Sequence, residues 1–456
     1  MRSPTPASDS SDAESGDWPA YKQAMSAASA FIQEWYAHTL FLPSRATKHP
    51  APPRRSASAR RPTLLLPDKD ADGLCAGLIL HYTLSALGLP PALISTHFVG
   101  KGSNVHAPTE RVRIQAIVPP PRRTSSSRTR GSRAGPAILP GEDEGDGRQE
   151  GEVRTLIVDH HLADGFPVGA IVLSAAKHQP VATSSTLAYL LCEPLVRRAS
   201  PEVRARMEWL CVLGTMGDLG VAHKWERPWP DMSACMKRWT KKGTDWIARV
   251  ARRTAEYDVH TAWSALLAND PAQIVSAASG NKHVQRLHKA RREIRAETER
   301  CGHTAPTFSG DGRVALVRIR SEAQVHPLIA TRWASTLKSA RLQIVICAND
   351  GPKAPPSSAK RESTASVGDK GEAGSEINIP DILREYAVRI PGLRESMGED
   401  FARGHAQASG GIVKSEDFER LWQVMRDAPA DGSGPPRKKR KVEATQKNTL
   451  EGWIKK

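Results

Sequence analysis

Thr63-Leu-Leu-Leu-Pro-Asp-Lys-Asp-Ala-Asp-Gly73 joins a short apolar run to three aspartates at alternate positions. A second apolar run, residues 154–158, leads into the triplet Asp159-His160-His161. Short apolar runs that end in polar residues are typical of buried strands in a parallel sheet. Because parallel strands end at one edge of the sheet, we expect both polar clusters to meet in one crevice. The sequence therefore predicts an α/β fold with a functional site at that edge.

The residue types in these clusters indicate metal chemistry. An aspartate at a strand end is often only a turn former or a helix cap, so one such motif is weak evidence. Two adjacent histidines at a strand end, however, seldom serve packing. A third segment, residues 214–220 (GTMGDLG), places Asp218 among glycines after an apolar run, and glycine allows the backbone to approach a ligand or metal closely. Carboxylates mixed with imidazoles favour Mn²⁺, and two such ions suit cleavage of phosphate esters.

Composition limits the class of protein. The 456 residues carry a net charge of +16, which favours a polyanionic partner, although many of the basic residues lie in linkers. Six cysteines are scattered without a CxxC pair, so we interpret them as core residues of a protein from a reducing compartment. No apolar run approaches the length needed to cross a membrane, and we expect no membrane partner.

Apolar periodicity and low-complexity segments divide the chain into folded and unfolded parts. Helices are predicted at 74–87, 184–193, 202–216, 285–300, 326–337 and 379–387, and strands at 92–98, 111–118, 314–319 and 342–347. The predicted organisation is a disordered N-terminus with one helix (1–62), a metal-binding α/β domain (63–225, with a low-complexity insert at 119–152), a helical connector (226–305), a smaller α/β domain (306–425, with an insert at 350–376) and a disordered tail (426–456).

The order DKDADG, VDHH and GTMGDLG resembles the DHH superfamily of phosphoesterases, which includes RecJ-type exonucleases, oligonucleotide-degrading enzymes and certain pyrophosphatases. The segment 401–411 (FARGHAQASGG) is similar to an element of that family's C-terminal substrate-binding domain, the DHHA1 domain. The resemblance covers about residues 63–425 and looks closest to fungal members of unassigned role. It implies a parallel-sheet DHH domain joined by a helical linker to a smaller DHHA1-like domain.

The resemblance also implies roles for individual residues. It implies two Mn²⁺ ions, with Mg²⁺ as an alternative, and hydrolysis by a metal-bound hydroxide. Metal ligands would be Asp70, Asp72, Asp159, His160 and Asp218; His161 would face the substrate and Asp68 would support the ligands at the catalytic centre. Substrate phosphate would bind at a glycine-flanked turn formed by Arg403, Gly404, His405, Ser409, Gly410 and Gly411.

One position departs from the family pattern. In the family, a further ligand aspartate follows a strand between the first motif and the DHH triplet. When this chain is aligned with that pattern, Thr129 occupies the position of this aspartate. Either the chain has lost this ligand, or its sequence was altered around 119–130 by a gene-model or splicing error. Glu142, Asp143 or Glu144 would replace the ligand only if their loop folded back. Loss of the ligand would put activity in doubt.

Two short motifs lie in the tail. Arg437, Lys438, Lys439, Arg440 and Lys441 stand between prolines and a valine, which resembles the nuclear import signal of a viral large T antigen. The alternative is a solvated charge run. The motif predicts a nuclear location and an import receptor as a partner.

The last residues place Leu450, Trp453 and Ile454 at short helical spacing, which resembles a degenerate sliding-clamp-binding peptide. Lys447 replaces the usual Gln of that peptide, and Ile454 replaces an aromatic residue. An unspecific amphipathic end is the alternative.

Three functions follow as hypotheses. The first is a nuclear, Mn²⁺-dependent phosphoesterase, an exonuclease in class, that acts on single-stranded nucleic acid or short oligonucleotides. The second is a small-molecule phosphohydrolase, either a pyrophosphatase or a cyclic nucleotide phosphodiesterase. The third is a noncatalytic nuclear scaffold that keeps the DHH fold.

Overall fold

The computed structural model describes the folded parts of the chain. These are residues 18–36, 62–100, 103–117, 126–128, 137–138, 154–163, 165–220, 222–239, 259–276, 278–337, 339, 341–351, 360–367, 378–398, 401–405 and 408–429. The regions 1–17 and 430–456, and with them both tail motifs, lie outside the described residues.

The first sheet has five parallel strands in the order β2-β1-β3-β4-β5. This order places a topological switch point between β1 and β3, where chains leave the sheet in opposite directions and a crevice opens. The predicted parallel α/β architecture is confirmed. The strands are β1 (Thr63–Leu66), β2 (Ile94–Thr96), β3 (Ser126–Arg128), β4 (Thr155–Asp159) and β5 (Ile171–Ser174).

Helix α2 lies at the centre of the first half. Leu74, Cys75, Leu78 and Ile79 are fully buried, because this helix is apolar on nearly all sides and packs between the sheet and two later helices. All six cysteines are free and buried, as predicted. The helices of this half are α1 (Lys22–Tyr36), α2 (Ala71–Ala86), α3 (Pro108–Ile117), α4 (Ser184–Cys192) and α5 (Pro201–Leu219), with 3₁₀ turns at Pro91–Leu93 and Glu193–Val196.

One predicted strand is wrong. Residues 111–118 lie mostly in helix α3. Pro108 occupies its first position, where the missing N–H costs nothing, and Glu110 and Ile114 are buried four residues apart on one face. The strand between β1 and β4 is instead β3, which lies inside the predicted low-complexity insert at 119–152.

The helical connector joins the cores of the two sheets through its last helix. Along α9, Val284 and Leu287 belong to the first core, whereas Ile294 and Cys301 belong to a core on the second sheet. Their spacing of three to seven residues keeps them on one face of a helix whose other faces are highly charged. The predicted helix at 285–300 is thereby confirmed. The connector helices are α6 (Ser233–Trp239), α7 (Val259–Ala268), α8 (Pro271–Val275) and α9 (Lys282–Gly302).

The second sheet is mixed and runs in the order β10-β11-β9-β8-β7-β6. Strands β7 and β8 pair in parallel, and the other pairs are antiparallel. Its strands are β6 (Thr307–Phe308), β7 (Val314–Ile319), β8 (Ile344–Asn349), β9 (Lys360–Val367), β10 (Arg403–His405) and β11 (Ala408–Lys414), and its helices are α10 (His326–Thr336), α11 (Ile379–Ala387), α12 (Leu393–Ser396) and α13 (Ser415–Asp427).

One expectation for this half is wrong, and one strand lies within a predicted insert. The insert at 350–376 contains β9, which pairs with β8 on one side and β11 on the other. The glycine pair Gly410-Gly411 lies inside β11 and not in a turn, because Gly410 pairs with Arg403 on one side and with residue 364 on the other. Among the described helices, none is both long enough and apolar enough to cross a membrane.

Candidate metal centre

The buried carboxylate of Asp159 organises the end of β4. Its Oδ1 accepts the backbone N–H groups of His160, at 2.7 Å, and His161, at 3.2 Å. The same oxygen lies 2.7 Å from Nδ1 of His161. One oxygen thus holds the two histidines in a tight turn as the chain leaves the strand, and the two rings stack with centroids 4.3 Å apart.

His160 connects three segments of the chain. Its ring is buried, with Nε2 3.4 Å from Oδ2 of Asp218 and Nδ1 3.4 Å from Oδ2 of Asp72. The hydroxyl of Ser184 lies closer to Nδ1, at 2.9 Å. Burial opposes the charged form of His160. Its hydrogen bond to Asp218 and the surrounding carboxylates nevertheless raise its pKa to about 9.

The first motif forms the turn between β1 and α2. Asp70 is the N-cap of α2, and its Oδ1 accepts the N–H of Gly73 at 2.8 Å. A side chain at Gly73 would clash with Asp68, because its Cβ would lie 2.5 Å from the Cβ of that aspartate. Burial raises the pKa of Asp70, and repulsion from Asp68, Asp72 and Asp218 adds to this effect, so that the pKa reaches about 7.

Asp72 faces a different neighbour. Its carboxylate is buried, and both oxygens accept backbone N–H groups from the first turn of α4: Oδ2 from Ser184 at 2.8 Å and Oδ1 from Ser185 at 2.9 Å. Both oxygens of Asp72 therefore accept hydrogen bonds from the N-terminal turn of α4.

Asp218 reaches the site because α5 packs closely on its neighbours. A Cβ at Gly217 would lie 2.5 Å from the Cβ of Ala71, and one at Gly214 would lie 2.5 Å from Oγ of Ser185. The glycines that were expected to permit approach to a ligand or metal therefore permit approach of one helix to another. Their effect is to bring Asp218 within reach of His160.

These donors fit divalent cations. Among the described residues, Asp159, His160 and His161 offer ligand atoms that all lie within 4.8 Å of one another. The carboxylates of Asp70 and Asp218 lie beside them, and the pKa of Asp70 is raised by burial and by repulsion from the neighbouring carboxylates. Carboxylate oxygens mixed with imidazole nitrogens suit a divalent metal ion.

Comparison with known proteins identifies the fold. RecJ from Thermus thermophilus in complex with Mn²⁺ superposes with a TM-score of 0.53 at 17% identity, covering 90% of this chain and 55% of RecJ. An exonuclease RecJ bound to manganese gives 0.52 at 16% identity, covering 89% of this chain and 95% of that one. The DHH domain of a protein from a family of ribosomal proteins gives 0.54 at 14% identity, with coverages of 91% and 94%. This chain has a RecJ-like DHH fold.

At these identities the likeness concerns the fold, and this chain spans about half of the Thermus RecJ. No protein-family model and no curated protein sequence matches the chain. Within the DHH fold, the first motif, the DHH triplet and Asp218 come together at the carboxyl edge of the first sheet. Helix α4 supplies Ser184, which sequence reasoning missed. The available signal was the run of hydroxyl residues at 183–186, which is typical of a helix start.

Strand register fixes the position of the residue that precedes Thr129. Arg128, the last residue of β3, pairs with Leu66 of β1 and Ile157 of β4. Thr129 is the next residue in the chain and lies outside the described residues. The register thus aligns the end of β3 with the end of β1, the strand that leads to Asp68 and Asp70.

The DHHA1-like element forms a hairpin in the second sheet. Gly404 pairs with Ser409, and His405 pairs with residue 408. Ser409 is buried, and the side chains of residues 403–408 lie outside the described part of the chain. The hairpin brings the six predicted substrate-binding positions together on two neighbouring strands.

Proposed function

We propose that this protein is a divalent-metal-dependent phosphoesterase that hydrolyses phosphodiester bonds of single-stranded nucleic acid or short oligonucleotides. The observation that carries the proposal is the convergence of Asp70, Asp159, His160 and Asp218 at the carboxyl edge of the DHH fold. These four residues would hold the cations, Mn²⁺ before Mg²⁺. The cations would supply Lewis-acid activation of water and neutralise phosphate charge.

His161 is suited to contact the substrate. Its ring is about one-third exposed, in contrast to the buried ring of His160. Burial disfavours its charged form, but its hydrogen bond to Asp159 and the charge of that carboxylate raise its pKa above the ordinary value. A protonated imidazole held by a carboxylate can bind a phosphate oxygen or give its proton to the leaving oxygen. Asp159 thus sets both the position and the charge of His161.

Two further observations favour a nucleic acid over other phosphates. The net charge of +16 attracts polyanions. A solved structure with the same fold is an exonuclease RecJ bound to manganese. The particular substrate and the preference for Mn²⁺ are part of the proposal.

The test is Mn²⁺-dependent hydrolysis of end-labelled single-stranded oligonucleotides by the full chain. We expect turnover in the original chain, and its loss in Asp159→Ala, which should be less stable but still folded at the assay temperature. Asp270→Ala is the control, because the carboxylate of this aspartate also accepts a backbone N–H but lies in the connector, at the start of α8. Full activity in Asp159→Ala would refute the site assignment. Parallel assays with pyrophosphate and a cyclic nucleotide test the alternative function. Hydrolysis of one of these, without hydrolysis of oligonucleotides, would favour a small-molecule phosphohydrolase.

A noncatalytic scaffold is the second candidate, and Thr129 is the observation that favours it. A lost ligand after β3 would leave the fold and part of the metal site without turnover. The variant Thr129→Asp decides between the two. Hydrolysis that appears only in this variant indicates a decayed or altered site. Absence of hydrolysis in both chains, together with retained DNA or protein binding, supports a scaffold.

We further propose nuclear import through residues 437–441 and sliding-clamp binding through Leu450, Trp453 and Ile454, all beyond the described residues. Substitution of the five basic residues by alanine is expected to abolish nuclear accumulation of the fluorescently tagged full chain. Replacing Leu450 and Trp453 by alanine is expected to abolish binding to a purified clamp in titration calorimetry. Unchanged localisation or unchanged affinity would reject the corresponding motif.

A further inference from the structure

Helix α9 carries a row of basic residues on its exposed side. Lys282, Arg286, Lys289 and Arg292 are all exposed, and their spacing of four, three and three residues keeps them on one side of the helix. The apolar stripe that packs on the two cores occupies another side. At about 1.5 Å per residue the row is about 15 Å long. It therefore forms a linear, positively charged surface.

One sign of charge dominates this part of α9. Residues 282–295 contain a single acidic residue, Glu293, against six basic ones: Lys282, Arg286, Lys289, Arg291, Arg292 and Arg295. The rest of the helix, 296–302, holds two glutamates and one arginine. A helix face that serves only solvation commonly alternates both signs. The concentration of one sign in the first two-thirds of α9 therefore indicates an anionic partner.

The order of the charges opposes the stability of the helix itself. The amino end of a helix carries partial positive charge and favours acidic residues, but α9 has none in its first turn and begins with Lys282. Lys282 and Arg286 are four residues apart, and Lys289 and Arg292 three apart, so each pair repels. Lys289 lies 3.8 Å from Glu293, but both side chains are more than half exposed, and such pairs contribute little. Exposed residues that break local rules in this way are expected where they serve function.

The row lies on the half of the chain that carries the candidate metal centre. Val284 and Leu287 of α9 belong to the same core as Leu156 and Val158 of β4, the strand that ends in the DHH triplet. Helix α9 contains no Phe, Tyr or Trp, so it offers charge without base stacking. Charge of this kind holds phosphates and reads no sequence.

We propose that Lys282, Arg286, Lys289 and Arg292 bind the phosphate backbone of a single-stranded nucleic acid, as a second contact besides the metal centre. The proposal rests on the proposed function and names a surface that holds the strand outside the reacting phosphodiester bond. Its affinity has no sequence preference. It falls with salt, because the basic side chains displace counterions from the strand.

The start of α5 supplies a matched control. Arg197, Arg198 and Arg204 are exposed, and the last of these lies about 20 Å along α5 from Asp218. Arg197 makes a weak, exposed pair with Glu193 at 3.9 Å, comparable with the pair between Lys289 and Glu293. Replacing these three arginines removes the same total charge as replacing three residues of the row.

The experiment measures binding of a labelled single strand of about 20 nucleotides to the full chain. Fluorescence anisotropy is recorded over a series of salt concentrations in the presence of a chelator. In the triple variant Lys282→Gln, Lys289→Gln, Arg292→Gln, the slope of log affinity against log salt should become shallower by about 2, from about 0.7 for each lost phosphate contact. At about 0.1 M salt the affinity should fall by about tenfold or more. The triple variant Arg197→Gln, Arg198→Gln, Arg204→Gln should leave the slope within about 0.5 of the original.

Lys282→Glu separates binding from helix stability. A glutamate at the first position of α9 suits the helix dipole and removes the repulsion from Arg286. We therefore expect a higher unfolding temperature together with weaker strand binding. A purely structural role of Lys282 predicts a lower unfolding temperature instead.

Two results would overturn the proposal: an unchanged slope in the triple variant of α9, or equal losses of affinity in both triple variants, which would show that only total charge matters. Because binding is measured without metal, it decides the role of the row even if the chain hydrolyses no phosphodiester. Hydrolysis by the original chain is assayed separately and decides the proposed function.

Discussion

Metal binding by this chain should release protons in a number that depends on pH. A bound cation requires Asp70 ionised and Nε2 of His160 free of its proton. Their pKa values of about 7 and about 9 mean that both groups carry protons in the metal-free protein below neutrality. Binding should therefore release about 1.9 protons at pH 6, which is about 0.9 from Asp70 and about 1.0 from His160. At pH 8 the release should fall to about 1.0, nearly all of it from His160.

Raising the pH should strengthen metal binding. Both groups hold protons that compete with the cation, so raising the pH strengthens binding. Integrated from pH 6 to pH 8, Asp70 contributes about tenfold and His160 about a hundredfold, or about a thousandfold in apparent affinity.

Titration calorimetry in pairs of buffers with different ionisation enthalpies measures both quantities. The control is His81→Gln, because this histidine of α2 lies outside the candidate metal centre and burial lowers its pKa. Release of less than about half a proton at pH 6, or an affinity independent of pH, would refute the reasoning.

Three further substitutions test the packing around the site and in the second half of the chain. Gly217→Ala should destabilise the protein by about 1–3 kcal/mol in thermal or urea unfolding, because its Cβ would meet that of Ala71 at 2.5 Å. The second substitution Ala71→Gly should restore most of the lost stability. Absence of this rescue would argue against the contact. Tyr386→Phe should cost about 1–2 kcal/mol in urea unfolding, since the buried phenol donates to Asp311; an unchanged midpoint would contradict this. Glu110→Gln should cost about 1–3 kcal/mol in thermal unfolding, because the buried carboxylate accepts the N–H of residue 100 and pairs with a histidine and an arginine, and a neutral effect would show that these contacts contribute little.

The parts of the fold that could be predicted are those in which burial leaves a mark on the sequence. Strands β1 and β4 are apolar runs buried on both faces, and α9 shows a clear apolar stripe. Strand β3 has the sequence Ser-Ser-Arg, which carries no such mark. It is a strand because it pairs with β1 and β4, a non-local cause that a local pattern cannot reveal.

The residues of the site were foreseen better than their contacts. Their positions after strand-like runs indicated that Asp70 and Asp159 belong to one edge, and its place among glycines made Asp218 a candidate ligand. The structure brings the segments that carry all three together. Spacing could not show that Asp72, two residues into α2, directs both oxygens to another helix. Nor could it show that the glycines before Asp218 face Ala71 and the start of α4, because helix contacts depend on which face each residue occupies.

The strand order makes the residue after β3 an informative position for substitution. The switch point lies between β1 and β3, so a crevice at this edge is bounded by the loops that follow these two strands. The loop after β1 supplies Asp68 and Asp70, whereas the chain after β3 continues with Thr129. A carboxylate added to this cluster would repel Asp70, whose pKa burial and the neighbouring carboxylates already raise to about 7. Thr129→Asp should therefore raise that pKa further in the metal-free protein and strengthen Mn²⁺ binding once the metal is added. A higher pKa of Asp70 together with stronger Mn²⁺ binding would place residue 129 at the metal centre. The absence of both changes would place it elsewhere.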